Sequence, residues 1–551
     1  MTVSSAGQPD AVIIGGDEPQ EVLGTEQRQR MRLAVDGQPA SLAFLREYFR
    51  AGRSAAAAAA ALRARPLPFV SLNGPYLRQF LRSRGLRVEL APLLDGSRSA
   101  LAAALSARPR AVVISTTFLP FAAQIDALAA EVKRLAGEAL VIAGGAQVYK
   151  SYLHKRLLDA GAIGEDIRAA VCEHNYLMDP ARPSPVDALV VSSRGEETLA
   201  GVLEALRDGR DWRGLDNVAW RDGGRWRLGR LVEEPYREVK VDWGPVLNGR
   251  AGVYVPVQAG QGCGFRCTFC DFCGLFPRVR VRRPASVVEE IATIPPGADG
   301  ARRVYFTDDN LFTGRARAAA LCRALVESGM ALRWRGMMRL DLIDEATADL
   351  MAASGCAEVL LGVESGDAGL LRRMGKRLTP AGVLAAVERL HRRGINTKST
   401  FIVGFPGETD ATIARTAELL NAYPTDGPGV HRYTFFTFAV LPLAEVAGAE
   451  SRRRYALEGY GYHWRHATMD SAQAAAALDS LYERIDPRLS PSYVLEVPEL
   501  PGMTVEQIKE AFLVRNLLVR LRGRPDAEGR RAALWGRLEK CFAGAVGRGR
   551  E

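Results

Sequence analysis

Short apolar runs separated by amphipathic, helix-length stretches organise the first two hundred residues of this chain. The runs fall at residues 11–15, 88–93, 111–115, 140–143 and 188–191. Between them, helical patterning covers residues 42–50, 55–65, 75–84, 98–107 and 121–135, and another helix runs to about residue 206. The alanine-rich 55–65 stretch reads as plain helix, because alanine has the highest helix propensity. Strand alternating with helix predicts a doubly wound parallel sheet with its ligand loops at the strands' carboxyl ends. Gly16 and Asp17 turn the chain after the first strand. The loops at those ends are Ser115-Thr116-Thr117-Phe118, Gly144-Gly145-Ala146-Gln147 and Ser193–Glu197 with its Gly195-Glu196-Glu197 turn, while Leu72-Asn73-Gly74 opens the 75–84 helix. Residues 150–185 read as an insertion, and 217–220 with 226–228 as a small hairpin linking domains.

A second series of strands follows at 303–307, 334–339, 358–363, 397–403 and 432–440, and predicts a partial (β/α)6 barrel. Beyond it, helical periodicity takes over. Thr468 or Asp470 caps a helix to about 484, residues 503–521 form a docking helix, and the Arg/Gly-rich tail after Arg522 is expected to fray. The expected division is therefore 1–210 (with a helical insertion at about 20–65), a linker at 211–250, the barrel at 251–445 and a small, mainly helical region at 446–551.

Composition narrows the class. The 551 residues are 47% hydrophobic and 25% charged, a globular balance. No apolar run reaches membrane-spanning length and no secretory leader is apparent, which predicts a cytoplasmic protein. The net charge of +10 comes from arginine spread along the chain, without a basic stripe interleaved with aromatics, so nucleic acid is not expected as a partner. Of eight cysteines, Cys263, Cys267, Cys270 and Cys273 cluster, while Cys172, Cys322, Cys356 and Cys541 are scattered. That is one metal site in a reducing compartment rather than a disulfide framework.

The cluster lies in QGCGFRCTFCDFC, residues 261–273. Cys263-x3-Cys267-x2-Cys270 offers three thiolates on one loop, enough to hold a [4Fe–4S] cluster and leave one iron open to a small molecule. With Cys273 as a fourth ligand, the same run describes a closed electron-transfer cluster or a structural zinc site, although zinc sites usually separate two cysteine pairs by a longer loop. Three further motifs end successive barrel strands: Asp308-Asp309-Asn310, Gly362-Val363-Glu364-Ser365-Gly366 and Gly404-Phe405-Pro406-Gly407-Glu408.

In this order, these motifs resemble those of the radical S-adenosylmethionine (SAM) enzymes, over about residues 257–442. The STTF, GG and RGEE turns ahead of them resemble the cobalamin-binding domain of the cobalamin-dependent, methyltransferase-type radical SAM family. The resemblance implies that Cys263, Cys267 and Cys270 hold the [4Fe–4S] cluster, with Phe269 beside SAM. Glu364 and Ser365 would bind its ribose, Asp309 or Asn310 would lie near its methionyl end, Ile402, Val403, Gly404 and Phe405 would flank adenine, and Arg339 would pair with its carboxylate. The strand-end loops of the first sheet, with Leu72, Asn73 and Gly74, would hold cobalamin. None of the six histidines sits in an Asp-x-His-x-x-Gly context, so no histidine of that motif is expected beneath the cobalt. Tyr462, His463 and His466, near Trp464, are candidates for closing a substrate pocket.

The activity implied by the resemblance is methyl transfer from SAM, through methylcobalamin, to an unactivated carbon or phosphinate phosphorus of a small-molecule or peptide natural product. A flavodoxin- or ferredoxin-type protein would supply the electron. Alternatives are polar methyl transfer to an indole carbon, a non-methylating rearrangement or cyclisation, and a non-enzymatic four-cysteine iron–sulfur protein.

Overall fold

The computed structural model describes residues 8–15, 32–63, 70–91, 98–162, 175–493 and 496–546. The Gly16-Asp17 turn, residues 64–65 and 92–93 of two expected elements, Cys172 and the last residues of the tail lie outside this set.

The first sheet contains β1 (Ala11–Ile14), β2 (Val88–Ala91), β3 (Ala111–Ser115), β4 (Leu140–Gly144) and β5 (Ala188–Val190). They are parallel in the order β2-β1-β3-β4-β5. All side chains of β1 and β3 are buried, because helices cover both faces of the sheet. The period of two sends Val12 and Ile14 into a core with Ile125 and Val132, and Ala11 and Ile13 into another with Phe80 and Leu203. The order reverses between β1 and β3, which opens a crevice at their carboxyl ends.

Two expected boundaries differ. The hairpin β6 (Val218–Asp222) and β7 (Arg225–Leu228) is no free linker: β6 pairs antiparallel with β5 and extends the first sheet. The helices Leu42–Arg50 and Ala55–Arg63 are not an insertion packed on that sheet. They share a core with the C-terminal helices, where Phe49 and Phe542 rings lie 5.6 Å apart. Backbone bonds tie this belt down, with Leu33 N donating to Tyr493 Oη (2.7 Å) and Leu42 N to Glu496 Oε1 (2.9 Å).

The second sheet runs in chain order, all parallel: β8 (Val255–Val257), β9 (Arg302–Phe306), β10 (Leu332–Met338), β11 (Cys356–Glu364), β12 (Asn396–Val403) and β13 (His431–Thr437). It is an open partial barrel, with the two-residue strand Ser490–Pro491 added beside β13. β8 is too short to stand out in the sequence, yet it leads into the cysteine loop.

The C-terminal region is less uniformly helical than expected. Glu458–Tyr460, His463–His466 and Met469–Asp470 form a small antiparallel sheet. Asp470, rather than Thr468, caps the helix Ser471–Arg484 by accepting from Gln473 N. The tail does not fray directly after Arg522: Glu528–Val546 is a helix, with Leu538 and Phe542 buried. Among the described residues, no helix is long and apolar enough to cross a membrane.

Candidate functional site

The cysteine loop is closed at its neck by Gly260–Gln261, which pairs antiparallel with Arg280–Val281. Gly262 sits at φ +84°, and a Cβ there would lie 2.7 Å from the Arg278 carbonyl oxygen, so the turn requires glycine. Thr268 N donates to Met374 O (3.1 Å), anchoring the middle of the loop to the turn after the Ala368–Arg373 helix. Cys263, Cys267 and Cys270 are half-buried free thiols. Among the described residues no three metal-binding side chains converge on one point. An iron–sulfur cube takes each thiolate on a different iron, which three thiols on one loop can supply. The Cys273 thiol donates to Phe265 O at 2.7 Å and lies within hydrogen-bond reach of Cys270.

Charged groups from the barrel strands surround this loop. Burial raises the Cys267 thiol above its ordinary range, and the Lys376 and Arg339 cations oppose that shift. Arg339 follows β10; its guanidinium lies 3.8 Å over the Phe265 ring, with Nη1 3.8 Å from Cys267 Sγ. Its other edge is held by Asp341 through two 2.9 Å bonds. After β9, Asp308 accepts from Ala259 N (2.9 Å) and Asp309 from Gly262 N (3.0 Å). Burial pushes Asp308 up to about 7 and Asp309 to about 6.

Glu364 ends β11 at φ +76°, a conformation costly for a residue with a Cβ. A bulge against β12 accompanies it. Its carboxylate is buried, paired with Lys376 Nζ at 3.0 Å. Lys376 also donates to Gly362 O (2.8 Å) and lies 5.9 Å from the Phe269 ring centre. Sequence reasoning missed Lys376; the Met374-Gly375-Lys376 turn just after the GVESG motif was the available signal.

Several expected SAM contacts also hold backbone. The Asn310 amide donates to Phe312 O (2.8 Å) and accepts from Arg339 N (3.3 Å), so it clamps backbone. Ser365 is fully buried, its hydroxyl accepting from Asp367 N (3.0 Å). Val403 and Phe405 point into the core, because β12 alternates faces and only Ile402 of this stretch keeps partial exposure. Gly404 N donates to Glu408 Oε2 (2.6 Å), and Gly404 O accepts from His466 Nε2 (3.0 Å). Burial raises Glu408 to about 7. His466 stacks on Trp464 (5.1 Å, 4°), so it braces the turn after β12. His463 and Tyr462 are exposed, and neither lines the main cavity.

That cavity, of about 600 Å³, lies between the carboxyl ends of the two sheets. From the first sheet it takes Leu72, Asn73, Ser115, Thr116, Thr117 and Phe118. Gly144, Gly145, Gln147, Gly195 and Glu196 complete that wall. Gln258, Gln261, Thr307 and Asp309 come from the barrel side. Gly74 and Glu197 are not in the wall. Gly74 abuts Gly15, where an added Cβ would sit 3.2 Å from the facing Cα, and Glu197 pairs with Arg84 and Arg237 (both 2.7 Å). Gly145 lies at φ +117°, with Thr116 Oγ1 3.2 Å from an added Cβ. Ser71 Oγ, Asn73 Nδ2 and Thr307 Oγ1 are buried without hydrogen-bond partners, and all three residues line the cavity. A cleft lined in part by Gly144, Gly145 and Gly195, with orphaned polar atoms, fits a large polar cofactor such as a corrinoid. Two links fix the sheets across it: Lys150–Asp271 (3.0 Å), and Arg194 Nε donating to Gln261 Oε1 (3.1 Å).

Residues 257–420 match the family profile described as the Radical SAM superfamily. The chain is 27% identical over 274 residues to an uncharacterised methyltransferase of Pyrococcus horikoshii, covering 47% of this chain and 56% of that protein. It is 25% identical over 285 residues to the anaerobic magnesium-protoporphyrin IX monomethyl ester cyclase of Rubrivivax gelatinosus, covering 49% and 51%. The chain thus spans about half the length of the curated relatives it matches. Among solved structures it is similar to the radical SAM methyltransferase TsrM of Kitasatospora setae with tryptophan and a SAM analogue bound. The TM-score there is 0.55 at 18% identity, over 83% of this chain and 96% of that one. It is also similar to the cobalamin-dependent SAM radical enzyme OxsB with aqua-cobalamin and SAM bound (TM-score 0.51, 15% identity, 78% and 56%). This chain carries a radical SAM domain. Over most of its length, Rossmann-like sheet ahead of partial barrel, the chain is similar in fold to TsrM.

Proposed function

We propose that the protein is a cobalamin-dependent radical SAM methyltransferase acting on a small molecule. One observation carries this reading: the cavity joins the glycine-floored loops of the first sheet to the Asp309 end of the barrel, beside the cysteine loop. When bound, a [4Fe–4S] cluster, SAM and cobalamin supply hydrogen abstraction and methyl carriage.

The chain's own residues bind, orient and exclude water. Cys263, Cys267 and Cys270 hold the cluster, and the Lys376 and Arg339 cations beside Cys267 favour its thiolate. Glu364, fixed by Lys376 and by Thr400 Oγ1 (3.4 Å), presents a carboxylate to a sugar diol. Asp309 offers a carboxylate to an ammonium group. Ile402 supplies an apolar wall for adenine. Thr116, Thr117, Gly144 and Gly145 would cradle the corrinoid, with Leu72 and Asn73 in the same wall. Methylation of an unactivated carbon in a specialised metabolite is the substrate class this reading favours, with one electron delivered by a carrier protein.

The test uses chain purified without oxygen and supplied with hydroxocobalamin, iron and sulfide, then reductant and SAM. Bound cobalamin close to one per chain, with both S-adenosylhomocysteine and 5′-deoxyadenosine formed, is the expected result. Absence of bound cobalamin overturns the methylcobalamin route.

A further inference from the structure

Orphaned hydroxyls single out a second place inside the barrel. Among the described residues, three buried serine or threonine hydroxyls have no hydrogen-bond partner: those of Ser71, Thr307 and Thr434. Ser71 and Thr307 line the main cavity, whereas Thr434 does not. Buried polar groups are normally paired, so an orphaned hydroxyl beside open space marks a position for a ligand atom. Thr434 lies in β13, and its neighbours fix the way it faces. Tyr433 and Phe435 are buried in the hydrophobic core, so Arg432 and Thr434 face the barrel interior. The same alternation turns Lys398, Thr400 and Ile402 of β12 and Met337 of β10 inward. Register sets Lys398 beside Arg432 and Thr400 beside Thr434. A closed barrel fills this space with branched apolar side chains. Here it is open: Met337, in mid-sheet, is 39% exposed, and Lys398, Thr400 and Thr434 keep partial exposure.

The surrounding charges decide the ligand class. Glu358 of β11 is fully buried and accepts from Arg432, and Arg335 of β10 pairs with the same carboxylate. Other buried arginines hold a carboxylate of their own, as Arg515 does with Glu496 (2.7 Å) and Arg282 with Glu290 (2.6 Å). Arg432 also donates through Nη1 to Glu496 O (2.7 Å), yet its Nε is buried without a partner. Burial lowers the Arg432 guanidinium to about 10, a penalty that an anion beside it would relieve. A group that accepts from a hydroxyl and sits next to Arg432 and Lys398 is an oxyanion.

We infer that Thr434, with Arg432 and Lys398, forms a subsite for the carboxylate or phosphate group of a small-molecule ligand, seated inside the barrel one layer deeper than Ile402. That this ligand is the methyl acceptor rests on the methyltransferase reading, whereas the subsite itself does not.

The test titrates the full chain, free of cluster, SAM and cobalamin, with succinate and with inorganic phosphate by calorimetry at fixed ionic strength. Affinity for at least one probe is expected to fall about tenfold in Thr434→Val, to stay within about twofold in Thr434→Ser, which keeps the hydroxyl, and to fall in Lys398→Met. The tighter probe identifies the end group as carboxylate or phosphate. Thr434→Val removes one hydroxyl at nearly constant shape, and an unchanged circular dichroism spectrum separates lost binding from lost fold. Failure of both probes to bind, or unchanged affinity in Thr434→Val, overturns the subsite, because any bound anion would then sit elsewhere. With cluster and SAM loaded, probe binding is expected to persist; its loss would give the subsite to SAM and overturns the assignment to the methyl acceptor. Hydroxyl-dependent binding in a chain that takes up no cluster upholds the subsite and overturns the methyltransferase reading instead.

Discussion

The first sheet and the barrel sheet both present ligand loops at the carboxyl ends of parallel strands, yet they furnish those ends with opposite chemistry. The first offers Thr116, Thr117, Gly144, Gly145 and Gly195, small and uncharged, where backbone approaches closely. The second offers Asp308, Asp309, Arg339, Glu364 and Lys376, buried or half-buried charges held by one another and by backbone. A wall of small neutral groups recognises a large ligand by shape, while buried charges recognise a small charged one by position. The contrast predicts that substitutions in the first wall act through space and those in the second through charge.

The largest effect tests the barrel side. Cys267→Ala is expected to abolish cluster assembly, whereas Cys273→Ala, whose thiol serves Phe265 O, should retain it; iron and sulfide content after anaerobic reconstitution reads both. Equal loss in the two variants would make this a closed four-cysteine site. Next, Lys376→Met leaves the Glu364 carboxylate buried without its cation, at an expected cost of about 3–5 kcal/mol in urea unfolding. The double variant with Glu364→Gln should recover part of that, and a cost under about 1 kcal/mol would show the pair behaving as a surface one.

Glu408 sharpens the charge argument through pH. Its folded value, raised to about 7 by burial, lies above the ordinary carboxyl range, so between those values the folded chain holds the extra proton. Stability therefore falls as pH rises from about 4.5 to about 7, by up to roughly 3 kcal/mol from this group. Glu408→Gln should flatten that part of the profile; an unchanged slope would assign it to Asp308, which shifts the same way.

On the first wall, Gly145→Val forces a β-branched residue to φ +117° against Thr116, a strain of about 1–3 kcal/mol. Cobalamin retention should fall about tenfold with cluster iron unchanged. Loss of both together would mean that the two walls do not act separately. The smallest effect belongs to His463→Ala, exposed on its hairpin, which should change stability by no more than about 0.5 kcal/mol and leave SAM binding intact.

Local chemistry was legible wherever it is contiguous in the chain. The cysteine spacing, the three motifs ending barrel strands and the neutral loops of the first sheet could all be read directly, because strand-to-loop turns carry their residues in order. Pairing partners were not. Asn310 and Ser365 have suitable side chains for SAM, but their hydrogen bonds go to backbone that only the folded turns bring near. Lys376 became visible only when the turn after one helix reached Glu364 and the cysteine loop together.

By itself, the sequence determined the two parallel sheets, their order along the chain and the thiolate loop, since apolar periodicity and close cysteine spacing are properties of neighbouring residues. The tertiary structure decided the rest. It placed residues 33–63 against the C-terminal helices and joined the β6–β7 hairpin to the first sheet. It set the main cavity between the two sheets. These depend on contacts between residues far apart in the chain, and burial and charge pairing at such distances are set by packing rather than by local pattern.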